Sequence, residues 1–168
     1  MQLSVIIVNW NTKKLLEDCL TSIYKYTSPP RHSERSEESR SLAGARDDNV
    51  GKKGISFEVI VVDNGSKDGS GDMVKKKFPQ VKLLSNKDNL GFTKANSQGI
   101  KVAKGDYVLL LNSDTYLIEN SLEMLVSKAK ELGRFGVLGP QLLNENLTIQ
   151  QSAGFFPHLP QVFYWMSF

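Results

Sequence analysis

Cysteine is almost missing from this chain: Cys19 is the only one in 168 residues. No disulfide can form within the chain and no cysteine cluster can hold a metal, which fits a reducing compartment. A strong charge of either sign is also missing. The formal net charge is +3, too little for the concentrated basic face of a dedicated nucleic-acid binder, and that class is set aside. No apolar run approaches the ~18 residues of a membrane span. The opening "MQLSVIIVNW" has no basic start, no long apolar core and no small-residue cleavage site, so it does not read as a signal peptide. The expectation is a cytoplasmic protein. With 40% hydrophobic and 23% charged residues, the chain has the balance of a globular domain with a real core.

What is present is an alternation. Four short apolar runs, Leu3 to Val8, Phe57 to Val62, Val81 to Leu84 and Asp106 to Leu111, are β-branched or leucine-rich. The longest lack polar alternation, as strands covered on both faces do. Helical stripes lie between them. Leu15, Leu16, Cys19, Leu20 and Ile23 share one face after an Asn11 or Thr12 cap. Phe92, Ala95, Asn96, Gly99, Ile100 and Ala103 form a second stripe. Leu122, Leu125, Val126, Ala129 and Leu132 form a third, closed by Gly133. A shorter helix is expected from Gly71 to Phe78, before Pro79. With a fifth strand at "FGVLG", this order predicts an α/β domain: a Rossmann-like, open, mainly parallel sheet with helices on both faces.

Two segments break the rhythm. Residues 28–54 are polar and rich in Ser, Arg and Glu, with too little apolar surface to fold alone. They read as a disordered insertion where a few residues would suffice. Beyond Arg134 there is neither Lys nor Arg, and the chain closes on "FFPHLPQVFYWMSF". A finished soluble domain rarely ends on exposed aromatics. Either the tail packs on something or the chain stops before its domain does. The tail could touch a membrane surface, although no basic residues accompany it.

Familiar glycine signatures are missing too. After the first run, where a dinucleotide fold places G-x-G-x-x-G, the chain reads Asn9-Trp10-Asn11. No P-loop occurs. Polar residues gather instead at the strand ends, where open parallel sheets bind ligands. They include Asn9 and Asn11, then Asp63-Asn64-Gly65-Ser66, Ser85-Asn86, and Asn112-Ser113-Asp114. Without a backbone cradle, a bound diphosphate needs another cation. Asp114, among oxygen-bearing neighbours, suits a Mg²⁺ or Mn²⁺ shared with phosphates; its alternative role is a cap before Ile118. Asp63 can accept a hydrogen bond from a base imide; its alternative is an Asx-turn with Gly65. Asn96, on an apolar helix face, is either a ligand contact or a core polar group. Trp10 packs near a base or serves structure alone.

The stretches "SVIIVNWN", "EVIVVDNGSKDGS", "NLGFTKANSQGI", "GDYVLLLNSDT" and "VLGPQLLNENLTIQQSAGFFP", in this order, resemble the motifs of family 2 glycosyltransferases of the GT-A fold, most of all the rhamnosyltransferase-like branch. The likeness covers nearly the whole chain outside the insertion. "NSDT" stands where the family carries D-x-D, with Asn112 at its first position. The resemblance implies Asp114 as metal ligand and Asp63 as the base contact. It places Asn112 near the donor ribose or sugar, with Asn9, Asn11, Asn64 and Asn96 lining the nucleotide. It also implies inversion by a single displacement, from dTDP-rhamnose or a UDP-sugar, onto a glycan or lipid-linked acceptor at the inner face of the membrane, in cell-wall or polysaccharide synthesis. The family's general base, an Asp in a downstream acidic motif, has no counterpart here; Glu145 falls in a turn-favouring sequence, "NEN". The expectation is therefore a truncated GT-A domain over 1–168: the donor-binding half, without a catalytic residue of its own. Loss of a general base alone costs roughly 10²–10⁴-fold. The alternative is a non-catalytic nucleotide-binding remnant.

Overall fold

A computed structural model describes residues 1–27, 54–134 and 136–151. All of the 28–54 insertion except Gly54, and the aromatic tail from 152, lie outside the described residues. The chain divides into two units, Met1–Gly133 and Arg134–Phe168.

The first unit alternates strand and helix throughout: β1 (Leu3–Asn9), α1 (Lys13–Tyr26), β2 (Phe57–Asp63), α2 (Ser70–Lys77), β3 (Lys82–Ser85), α3 (Phe92–Val102), β4 (Tyr107–Asn112) and α4 (Ser121–Leu132). The β-branched runs became strands and the periodic stripes became helices, as expected. The four strands form one sheet in the order β3-β2-β1-β4. Every neighbouring pair is parallel. Asn9 stands in register with Asp63, and Val8 with Asn112. The polar ends of three strands therefore meet at one edge.

Side-chain alternation along β1 sorts the core into two layers. Leu3, Val5 and Ile7 point to a layer shared with Leu16, Leu20 and Ile23 of α1, Val74 of α2, and Leu122 and Val126 of α4. Ile6 points to the opposite layer, with Ile60, Val62 and Ala95 of α3. Helices thus cover both faces. α3 lies close to the sheet because small residues face it. A Cβ on Gly99 would stand 2.5 Å from Ile6 Cγ2.

Two expectations need correction. The fourth run lacks polar alternation, as a strand covered on both faces does, yet among the described residues β4 is an edge strand and Val108 and Leu110 are 44% and 49% exposed. Full apolarity marks a two-sided strand only at the sheet centre, where β1 and β2 run. The expected strand at "FGVLG" is absent from its described residues, 136–139. Gly136 and Gly139, followed by Pro140, favour irregular chain over a ladder.

The second unit contains a small turn. Leu143 and Ile149 form an antiparallel bridge, and Asn144 N–H donates to Thr148 O at 2.8 Å. Leu147 takes a left-handed φ of 63°. Asn146 Oδ1 accepts from the Thr148 backbone and hydroxyl. Glu145 sits in this turn, as its neighbours suggested.

Candidate functional site

In the order β3-β2-β1-β4, the chain winds outward from β1 to β3 and then returns to the other side of β1. The crevice between the carboxyl ends of β1 and β4 is the switch point where open sheets take ligands. A cleft of about 280 Å³ lies there, lined by Val8, Trp10, Thr12, Asn64, Asn89, Phe92, Asn112, Ser113 and Asp114.

The loops around it are tied by side chains. Asn11 adopts φ 55°, a left-handed conformation that Asn tolerates. Its backbone N–H donates to Ser66 Oγ at 2.9 Å, and its Oδ1 accepts from Lys67 N–H at 2.8 Å. This laces the β1–α1 loop to the β2–α2 loop. Asp68 completes the join. Its Oδ2 accepts from Lys13 N–H at 2.8 Å, and its Oδ1 accepts from the Ser70 N–H and hydroxyl. One carboxylate therefore caps the first turns of both α1 and α2. Thr12, expected as a cap of α1, makes no side-chain cap bond; its hydroxyl is used elsewhere.

Burial works against the Asp68 charge, but hydrogen bonds from the Ser70 hydroxyl and from the Lys13 and Ser70 backbones outweigh it. Its pKa falls below the ordinary 3.8. A depressed pKa stabilises the fold above the unfolded value, and that contribution is lost as pH falls through the folded value. Asp68→Ala should cost about 1–2 kcal/mol at neutral pH, as lost caps do. The gap from wild type should close as pH drops below 3.8, read by urea unfolding at each pH.

Asn64 builds the wall towards β3. Only 2% exposed, it donates to Asn89 Oδ1 at 2.7 Å and accepts from Asn86 Nδ2 at 3.0 Å and Leu90 N–H at 3.1 Å. Asn86 and Gln98 exchange two further amide bonds. This closed network holds the loop that presents Asn89 and Phe92. Phe92 does not join the core stripe of α3 as its spacing suggested. It is 59% exposed, because the first turn of α3 opens onto the cleft.

The floor is a second network. Asn9 has no exposed surface. Its Nδ2 donates to Asp63 Oδ1 and to Ser66 Oγ, both at 3.0 Å, and its Oδ1 accepts from the Thr12 hydroxyl at 2.6 Å. Thr12 Oγ1 also lies 3.0 Å from Ser113 Oγ. The polar cluster after β4 is a turn: Thr115 N–H donates to Asn112 O at 3.2 Å. Ser22 of α1, itself buried, pins the chain beyond it by accepting Leu117 N–H at 2.9 Å.

Of the residues expected at a site, Asn64, Asn112 and Asp114 line the cleft together. Asn9 does not; full burial and three side-chain hydrogen bonds make it a support beneath the floor. Asn96 is 6% exposed, and its Nδ2 donates back to Phe92 O, the core role left open for it. Asn11 holds the loops. Asp63 is 6% exposed, with Oδ1 bound to Asn9; Oδ2 accepts no hydrogen bond among the described residues. Thr12, Ser113, Asn89 and Phe92 were not singled out as site residues. Their signal was positional, since each falls within a few residues of a strand end.

Asp114 is exposed, and no hydrogen bond or ion pair engages its carboxylate among the described residues. Behind it, burial first, and the Asp114 charge second, push the Cys19 thiol up to about 12; Cys19 is a core residue, not a nucleophile. No group of three His, Cys, Asp or Glu converges among the described residues. One exposed carboxylate beside Ser113 and Asn112 oxygens still fits a hard cation whose remaining ligands come from phosphate and water, the usual Mg²⁺ arrangement.

The family model described as Glycosyl transferase family 2 matches residues 4–146. The chain is 29% identical over 140 residues to glycosyltransferase GlyG of Streptococcus pneumoniae, covering 82% of this chain and 38% of that protein. It is 28% identical over 155 residues to an N-acetylglucosaminyl-diphospho-decaprenol L-rhamnosyltransferase of Mycobacterium tuberculosis, covering 86% and 48%. Among solved structures it resembles residues 1–349 of S. aureus TarS in complex with UDP, with a TM-score of 0.59 and 25% identity over 78% of this chain and 32% of that one. The chain spans less than half the length of each of these relatives.

Proposed function

Since the chain belongs to glycosyl transferase family 2 and has the GT-A fold, we propose that it forms the donor-binding half of an enzyme that transfers a sugar from a nucleoside diphosphate to an acceptor hydroxyl, with inversion. The observation that carries this reading is the cleft at the β1/β4 switch point, where Asp114 is the one lining carboxylate among the described residues, beside neutral oxygen- and nitrogen-bearing side chains.

Trp10 and Phe92, both more than half exposed, offer aromatic faces on which a nucleobase can stack. The unengaged Oδ2 of Asp63 suits an imide N–H, as in uracil or thymine. Asn89 supplies an amide for the ribose, and Asn64, whose own amide is engaged, holds Asn89 in place. Asn112 stands towards the sugar, and Asp114, with Ser113 beside it, would hold a Mg²⁺ or Mn²⁺ against the diphosphate. Such a cation neutralises charge on the departing diphosphate. The acceptor hydroxyl must also lose a proton. No second carboxylate lines the cleft among the described residues, so the reading assigns the base and the acceptor surface to other structure. UDP- and dTDP-sugars are the donors to try first, given a relative solved with UDP and another named for L-rhamnose transfer. A lipid-linked or glycan acceptor at the cytoplasmic membrane face belongs to the same proposal.

The test is calorimetric titration with UDP, dTDP and GDP, each with Mn²⁺ and with a chelator. Binding of one nucleotide that strengthens with Mn²⁺ is the expected outcome. A folded sample that binds none of them would overturn the donor-site reading and leave the non-catalytic remnant.

A further inference from the structure

The floor network has a single direction, and Asp63 dictates it. A carboxylate only accepts, so the Asn9 amide must turn its Nδ2 to Asp63 Oδ1. The reverse flip would set two acceptors against each other. That orientation leaves Asn9 Oδ1 facing Thr12, which must donate its one hydroxyl proton there, at 2.6 Å. Thr12 Oγ1 has no second proton for Ser113, 3.0 Å away. Ser113 must therefore donate to Thr12. Its proton points down into the floor, and its oxygen keeps only lone pairs for the cleft it lines.

We propose that this chain of bonds, from Asp63 through Asn9 and Thr12, holds Ser113 Oγ as a pure acceptor and makes it, with Asp114, a two-oxygen ligand pair for the divalent cation; Thr12 is a positioning residue. The inference deepens the donor-site reading by adding a ligand and the device that orients it. A free serine hydroxyl rotates and can present its proton to a cation; one whose proton is committed cannot. An oxygen with only lone pairs to offer attracts a cation and repels a bare phosphate oxygen at this point. Hydrogen-bond partners behind a ligand typically change metal affinity by about 10–100-fold.

The experiment uses Mn²⁺ alone, without nucleotide, titrated into the ¹⁵N-labelled full chain while paramagnetic broadening is followed. In wild type, broadening should centre on the amides of Asn112 to Thr115. Ser113→Ala and Thr12→Val should each need about tenfold more Mn²⁺ for the same effect. Thr12→Ser should restore wild-type behaviour. The double variant should be no weaker than Ser113→Ala, since both remove one pathway. Unchanged amide positions in β1 and β2 report an intact fold; if Thr12→Val fails to fold, Ser113→Ala and Thr12→Ser decide the matter. A wild-type response that Ser113→Ala leaves unchanged overturns the proposal, as does the absence of any response at the turn. Because no nucleotide is present, a normal Mn²⁺ response in a chain that binds no nucleotide would overturn the donor-site reading alone.

Discussion

Asp114→Ala should reduce nucleoside diphosphate affinity in Mn²⁺ to the value measured in chelator, a loss of about tenfold or more. The expectation follows from charge. A diphosphate brought beside a carboxylate is repelled unless a cation stands between them, and the proposed site uses Asp114 through such a cation. Asp114 is the one carboxylate among the described residues that line the cleft, so its removal would leave the proposed cation without an anionic protein ligand there. It should not harm the fold. The carboxylate is exposed and engages no hydrogen bond among the described residues, so stability should stay within about 0.5 kcal/mol. Titrations with and without metal, beside a urea unfolding curve, separate the two effects. An Asp114→Ala variant that keeps its Mn²⁺-dependent gain would remove Asp114 from the site.

Gly105→Ala should show the opposite profile, a large loss of stability with no direct effect on the cleft chemistry. A Cβ at this position would stand 2.4 Å from Ser4 N, 2.6 Å from Leu3 C and 2.7 Å from Tyr107 O. These are backbone atoms at the start of β1 and β4, which have no rotamer to yield. Gly105 N–H donates to Ser4 Oγ at 2.8 Å, and Asp106 and Tyr107 donate to the carbonyls of Met1 and Gln2. The added methyl would push this joint apart and loosen the β1–β4 ladder from one end. The cost should be about 3 kcal/mol or more, at or above the upper range for overpacking. Gly99→Ala is a useful contrast. Its clash is with the Ile6 side chain, so it should cost less and be partly relieved by Ile6→Ala. Urea midpoints of these variants measure the difference. A Gly105→Ala chain as stable as wild type would mean that the joint opens freely.

The elements were legible because their causes are local. β-branched runs bounded by polar clusters make strands, and stripes at helical spacing make helices. The place of Asp114 and Asn112 in the cleft lining was legible because a carboxylate and an amide closing an apolar run have few structural duties. Asn9 was not. Its residue type and place equalled theirs, and only burial distinguished a support from a contact. Thr12 stands at the N-cap of α1, as its place suggests, but the side-chain cap bond comes from Asp68, 56 positions along the chain, which leaves the Thr12 hydroxyl to Asn9 and Ser113.

By itself the sequence determined the alternation of strands and helices, the parallel sheet, and the family, since each rests on residues close together or on motifs in order. Strand order was decided only in the tertiary structure. Placing β4 beside β1 rather than β3 opens the cleft between Trp10 and Asp114 and leaves Val108 and Leu110 on an edge. It also brings Thr12 against Ser113. Pairing among strands depends on contacts between residues 22 to 104 positions apart in sequence, which no local pattern encodes. The hydrogen-bond polarity that Asp63 imposes on Ser113 exists only once those contacts have formed.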